Sequence, residues 1–384
     1  MSARAAAFAL MAGNFIIGLS IIAPAGIIAP LAADLAIPVT QAALVITIGA
    51  IVLCLGSPLA AWGASTVDRR TLLSAALAML ALCHAASAFA PDFTTVLAIR
   101  IVAMGFACVF TPQAASAIAM LVPERERPGA ISFVFLGWSL SAAAGLPLVA
   151  WSAAEFGWRS VHLGLAVGGA LAAGLVALSL PSGLRGGAMS LASWGGLFRT
   201  PMILVLLAAT ILSSAGQFLI FTFFGPLLAI TIGATPAQVA ACFAVFGIAG
   251  FLGNVAASRV VGRLGALRTS LVFFSSMVVG ATLWAIGGSL AMVLVASAVW
   301  GAGFAASNSM QQARLAAAAP ALAGAAIALN SSSIYIGQAT GSALGGVMFG
   351  AGLYQAMGLA SAALLALTVL LVYWSGRLGR AAAR

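Results

Sequence analysis

Ionisable side chains are rare in this chain, so each one inside an apolar run is a candidate for chemistry. Its 384 residues hold 16 basic and 6 acidic side chains and 2 histidines, and every basic residue is arginine. Arg100 stands about two helical turns inside the apolar run that begins near Thr94. An arginine at that depth costs about 3 kcal/mol unless it is paired or wet, which makes it functional by default. It could contact an anionic or hydroxyl-rich ligand, or act as partner to a protonatable group. The alternative is a snorkelling residue that packs the outer rim.

Amides, hydroxyls and aromatic rings form a second set. Ser331, Tyr335, Gln338 and Ser342 recur at i, i+4, i+7 and i+11, so they share one helix face, with Asn330 at its edge. Such a stripe lines a wet cavity or bonds a neighbouring helix, and the reach of Tyr and Gln favours the cavity. Ser214, Gln217, Phe221 and Phe224 form a similar face. Rings beside an amide suit a partly apolar ligand, or aromatic packing alone. Asn14, Gln113 and Asn254 are further amides inside apolar runs, equally able to contact a ligand or to join helices.

What is missing also bounds the chemistry. No Asp or Glu falls in the central part of an apolar run, and His84 and His162 stand apart in the sequence. A membrane-embedded enzyme needs clustered His, Asp or Glu at depth, so the chain is not read as an enzyme. Cys54, Cys83, Cys108 and Cys242 make no Cys-x-x-Cys pair, so neither a metal site nor a disulfide frame is expected. No phosphate-binding Gly-x-x-x-x-Gly-Lys-Ser/Thr sequence occurs, and no cofactor is expected.

The elements that must position these residues follow from composition. The chain is 63% hydrophobic and 6% charged, with mean hydropathy +1.18. A soluble domain carries about a quarter charged residues. The chain is therefore an all-α membrane protein, its crossing segments helical because lipid offers no partner to an open backbone. Twelve apolar runs of membrane length can be drawn, from Ala6–Leu31 to Tyr354–Trp374, including Val239–Val261 and Leu267–Ile286. Pro24, Pro112, Pro147 and Pro226 are expected kink sites. With twelve transmembrane helices and the N-terminus inside, every arginine except Arg100 and Arg159 falls on the inner side. The positive-inside rule then places both termini in the cytoplasm. The net charge of +10 is spread singly between apolar runs, which fits orientation and lipid headgroups rather than nucleic acid.

The two parts of the chain resemble each other. Ala29-Pro-Leu31 matches Gly225-Pro-Leu227, Arg70-Thr71 matches Arg268-Thr269, and Gly105-Phe-Ala107 matches Gly303-Phe-Ala305, all at nearly one offset. This gives two six-helix pseudo-repeats: an N-terminal bundle over 1–182, a cytoplasmic linker over 183–200, and a C-terminal bundle over 201–384. Parallel repeats of this kind are a transporter signature, with the substrate held between them.

Four stretches carry a family resemblance. Val67-Asp-Arg-Arg-Thr-Leu-Leu73 is similar to the loop between spans two and three of the major facilitator superfamily, in its twelve-span bacterial branch of drug:proton antiporters and arabinose (sugar) efflux proteins. Arg100 followed by Gly105 resembles that branch's span-four arginine motif. Gly145-Leu-Pro147, then Gly157-Trp-Arg159, resembles the span-five antiporter motif and the turn after it. Phe218 to Leu227 resembles span seven of the sugar-efflux group. The loop has Ala64 where the family carries an acid, and Gly262 stands at the matching place in the second half.

The resemblance implies a major facilitator fold in the bacterial inner (plasma) membrane. It implies a monomeric secondary active transporter that exports a small neutral or amphiphilic compound, drug-like or sugar-like, against protons by alternating access. A facilitative or proton-coupled uptake carrier for a small metabolite is the alternative, ahead of a channel. The substrate contacts expected are Asn14, Arg100, Gln113, Gln217, Phe221, Phe224, Asn254, Ser331, Tyr335 and Gln338. Asp68, Arg69, Arg70, Gly145, Pro147 and Arg263 are expected to gate. Arginine stays charged in proteins, so it can bias a proton carrier but not be one. Asp34 is therefore expected to accept the proton with Arg100 as its partner, or else to cap its helix and face water.

Overall fold

Backbone N–H and C=O groups find no partner in hydrocarbon, so each apolar run has to satisfy its own and winds into a helix. A computed structural model describes residues 3–64, 66–185, 197, 200–319 and 322–382. Most of the expected linker, including Arg199, lies outside the described residues, as does Arg384. Among the described residues every regular element is helical. The first part of the chain forms α1 (Ala3–Ile22), α2 (Pro24–Asp34), α3 (Val39–Ala42), α4 (Leu44–Gly63), α5 (Arg69–Ala88), α6 (Phe93–Leu121), α7 (Arg127–Leu140), α8 (Leu146–Phe156) and α9 (Trp158–Ser179). The second forms α10 (Pro201–Phe221), α11 (Phe224–Ile232), α12 (Pro236–Ile286), α13 (Leu290–Ala318), α14 (Ala323–Gly350) and α15 (Tyr354–Ala382). Among the described residues, ten helical stretches are long and apolar enough to cross a membrane.

Helix ends and breaks follow local chemistry. Asp68 caps α5 by accepting from the Thr71 N–H, and Asp92 caps α6 by accepting from Thr95. Thr235 and Gln238 form a reciprocal capping box at the start of α12. Helix α12 is 51 residues long, over twice what a bilayer needs, but Gly265 interrupts it at φ 76° and ψ 158°. Only glycine takes that conformation at no steric cost, so the two runs expected on either side remain separate rods. Pro24 follows the break between α1 and α2, and Pro226 lies just past the break between α10 and α11, at matching places in the two parts. Pro147 follows a π turn at Ser141–Gly145. Pro112 lies inside the continuous helix α6.

Packing is dense within each part: α5 against α6 and α9, α1 against α7, α10 against α14 and α15, and α12 against α13. Across the linker, contact concentrates at three seams. Helix α4 meets α14, α12 meets the π turn and α8, and α2 meets α11. The first seam carries a Thr47 to Ser342 hydroxyl bond of 2.9 Å and a Ser332 bond of 3.3 Å to the Cys54 carbonyl.

Candidate functional site

A cavity of about 490 Å³ lies between the two parts of the chain. Its lining includes Ile131 and Ser132 from the second turn of α7, and Gln311 and Gln312 near the end of α13. Those positions adjoin the arginine-rich helix ends, whereas α2 packs on α11 at the opposite ends. The cavity thus lies toward the arginine-rich side and is closed on the other.

The lining sets polar groups into a mainly apolar surface and carries no charged side chain among the described residues. Helix α10 contributes Ser213, Gln217 and Phe221, and α14 contributes Ser331, Tyr335 and Gln338. The Gln217 amide donates to the Ser213 hydroxyl at 3.0 Å and to its carbonyl at 3.2 Å, which holds the side chain along its own helix. Asn254 of α12 accepts from Ser309 of α13 at 2.8 Å. An aromatic wall completes the cavity: Phe304 stacks on Phe221 with centroids 6.1 Å apart, and Phe246 meets Phe304 edge-on at 5.1 Å. Amides and hydroxyls opposite rings can bond a neutral hydroxylated compound and cover its apolar face.

Six of the ten expected contacts line this cavity: Gln217, Phe221, Asn254, Ser331, Tyr335 and Gln338. The other four do not. Asn14 is fully buried, donating to the Val134 carbonyl at 3.1 Å and accepting from Thr111 at 2.7 Å, so it joins α1 to α6 and α7. Gln113 is buried away from the cavity. Phe224 packs among Phe243, Trp284 and Trp300 behind the wall. Arg100 occupies a separate crevice in the first part of the chain.

The Arg100 guanidinium is spent on backbone. It donates to the carbonyls of Ser20 at 2.7 Å, Ile21 at 3.2 Å and Val45 at 3.3 Å. Pro24 has no N–H to give the Ser20 carbonyl four residues back, so Arg100 supplies the donor that the helix lost. Gly49 lets the arginine lie close along α4, since a Cβ there would stand 3.1 Å from its Nε.

The expected partnership of Arg100 with Asp34 is not formed, because Asp34 lies at the exposed end of α2 beside other partners. The Arg159 guanidinium and the Trp158 Nε1–H, the latter at 2.9 Å, both donate to its carboxylate. Arg159 also bonds the Ala90 carbonyl at 3.2 Å and lies over the Trp158 ring. The Trp158 and Arg159 donors hold the Asp34 carboxyl below the usual carboxylate range.

The expected gating residues fall into three groups. Arg69 donates to the carbonyls of Ala64 at 2.8 Å and Val67 at 2.9 Å, at the end of α4. The Asp68 carboxylate also accepts from the Gly183 N–H at 2.5 Å, and the Arg69 N–H donates to the Leu184 carbonyl. These bonds tie the α4–α5 turn to the segment after α9. Arg70 is half-buried and Arg263 exposed, and neither joins an ion pair among the described residues. Gly145 ends the π turn under Leu19, and Pro147 starts α8.

Sequence reasoning missed Thr210, Asn308, Gln311 and Gln312, which line the same cavity. A signal was present: Ser307-Asn-Ser-Met-Gln-Gln312 is a dense polar run inside an apolar stretch. In the structure Asn308 accepts from Asn330 at 3.3 Å, and Gln311 donates to the Leu206 carbonyl at 3.1 Å.

Comparison with known proteins agrees with this geometry. Residues 10–321 and 206–382 match the family model described as Major Facilitator Superfamily. The chain is 28% identical over 375 residues to the "Inner membrane transport protein YdhP" of Escherichia coli (strain K12), covering 96% of this chain and 95% of that one. It is 27% identical to a "Probable sugar efflux transporter" of Mannheimia succiniciproducens, covering 88% and 84%. Among solved structures it is similar to a bacterial homolog of the human lysosomal transporter Spinster in an inward-facing and unoccupied conformation. That match has TM-score 0.74 at 17% identity and covers 98% of both chains. A D-xylose-proton symporter matches with TM-score 0.75 at 17% identity, covering 95% and 97%. At these identities the structural likeness is one of fold.

Proposed function

The chain belongs to the major facilitator superfamily, and on that premise we propose that it exports a small neutral, hydroxyl-bearing or amphiphilic compound by proton-coupled alternating access. It is a secondary transporter and not an enzyme. The observation that carries the substrate class is the cavity of about 490 Å³ whose lining holds amides, hydroxyls and aromatic rings but, among the described residues, no charge. A permanent cation or anion would meet no counter-charge there and would lose its hydration. Export is favoured by the sugar-efflux name of a relative of nearly full length, and the inner membrane by the name of another.

Purified protein in detergent provides the test. Neutral monosaccharides and uncharged aromatic glycosides should raise its unfolding temperature, and quaternary ammonium compounds should not. Gln217→Leu should weaken the best ligand about tenfold, the worth of one hydrogen bond. Stabilisation by organic cations alone would overturn the proposed substrate class.

The proposed topology has twelve spans with both termini cytoplasmic. The ten stretches long enough to cross, the second rod of α12 beyond Gly265, and α14 make up that number. Reporter fusions after Arg70 and Arg384 should read cytoplasmic, and one after Asp92 external. An external C-terminus would refute this topology. In it the cavity opens to the cytoplasm, and two halves, 1–182 and 201–384, rock about it.

A further inference from the structure

We propose that His84 and His162 form a buried proton-binding pair whose protonation drives opening of the outer side. They are the 2 histidines of the chain, they come from different helices, and both are more than nine-tenths buried. His84 Nδ1 lies 2.9 Å from His162 Nδ1. At that distance one nitrogen donates and the other accepts, so the two rings share a single bridging proton. His84 Nε2 lies 2.9 Å from the Ser20 hydroxyl. The Ser20 carbonyl, in turn, is the group left without a donor by Pro24 and bonded by Arg100.

Beside the pair is a cavity of about 20 Å³ bounded by Ser20, His84, Arg100 and His162. That volume admits about one water molecule, and the polar groups around it are the partners such a water needs. The pair is thus joined by hydrogen bonds to the break between α1 and α2. Beyond that break, α2 packs on α11 from the other part of the chain. Separating α2 from α11 bends the chain at Ala23, shifts Ser20, and lets outside water reach the pair.

Charge makes this site responsive. Arg100 acts electrostatically on both rings. The other charged groups on the surrounding helices are Asp34 on α2 and Arg159 on α9, which neutralise each other, Glu155, exposed on α8, and, at the far ends of α1 and α5, Arg4, Arg69 and Arg70. Cys83 on α5, Cys54 on α4 and Cys108 on α6 are the remaining titratable groups of those helices. A proton taken by the pair puts a second cation beside Arg100 with no bulk water to screen it. The sealed conformation and the protonated pair therefore disfavour each other. In the open conformation the accepting imidazole nitrogen takes a proton from hydronium, an N–H bond forms, and water is left. Sealing reverses that step.

The proposal rests on the alternating-access reading, and the experiment separates the two. Spin labels at Ala33→Cys and Thr231→Cys, both exposed, report the α2–α11 distance in lipid nanodiscs once Cys54, Cys83, Cys108 and Cys242 are replaced by Ala. As pH falls from about 8 to 5, where histidine titrates, the ratio of the long to the short distance should rise about tenfold or more. His84→Gln and His162→Gln should each flatten that response, and Asp34→Asn should keep it. Histidine-selective ¹⁵N labelling of the otherwise wild-type chain, purified without a histidine tag, gives signals from these two rings alone. Their protonation should follow the distance change, a readout that stands even if a variant misfolds. A pH response that survives both histidine substitutions, or two distances whose ratio ignores pH, overturns the histidine proposal alone. Rings that stay neutral while the distance changes overturn it too. A single distance at every pH overturns alternating access and this proposal with it.

Discussion

Arg100→Met should lower the unfolding free energy by roughly 2–6 kcal/mol, because each of two buried carbonyl acceptors left bare costs about 1–3 kcal/mol and the lower end applies where lipid-phase partners can be found. Those acceptors are the carbonyls of Ser20 and Ile21 at the helix break, whereas Val45 keeps its place in the helical ladder of α4. Methionine fills similar space but offers no donor. Arg100→Lys should recover only part of the loss, since a compact ammonium replaces a planar fork that reaches two helices at once. A second substitution makes the argument specific. Pro24→Ala returns a backbone N–H opposite the Ser20 carbonyl, so it should be less harmful in the Arg100→Met background than in wild type. Unfolding by sodium dodecyl sulfate in mixed micelles measures all four corners of this cycle. Wild-type-like stability of Arg100→Met would mean that water satisfies those carbonyls, and additive effects of the two changes would detach Pro24 from Arg100.

Gly247→Val should shift the protein toward its outward-open conformation about tenfold or more. Gly247 of α12 lies against the backbone of Ala142 and Ala143 in the π turn, and any Cβ would strike that backbone rather than a movable side chain. The contact belongs to the seam where α12 meets the π turn and α8 across the two parts of the chain. Overpacking a tight contact costs about 1–3 kcal/mol, and 1.4 kcal/mol is tenfold in an equilibrium. Here the strain is relieved by parting the seam, so the cost falls on the conformation closed at α2 and α11. The Ala33–Thr231 spin-label distance should lengthen at neutral pH, and transport should slow because return to the closed form is disfavoured. An unchanged distance would mean that the π turn yields locally and the seam does not set the conformation.

The long apolar helices were legible in the sequence because lipid leaves each apolar run one solution, an internally bonded helix. The helix face of Ser331, Tyr335 and Gln338 was legible too, since a period of 3.6 puts them together and hydrocarbon drives them inward. Periodicity could not say what lies opposite a face. Ser342 belongs to the same stripe, yet it bonds Thr47 across the α4–α14 seam and is not a cavity residue. Phe224 belongs to the same face as Phe221, yet the break after Phe221 turns it behind the wall.

Tertiary structure alone decided the partners of the ionisable groups. Asp34 finds Arg159 at a separation of 125 residues, and His84 finds His162 at 78. No local rule links such positions. A lone histidine in an apolar helix reads as packing until the neighbouring helix delivers a second one. The sequence did determine that these few charges had to be satisfied, because burying one unpaired costs more than folding can spare. Which group satisfies which depends on how the helices are arranged around the break at Ala23, and that arrangement is set by side-chain packing that no single stretch of chain encodes.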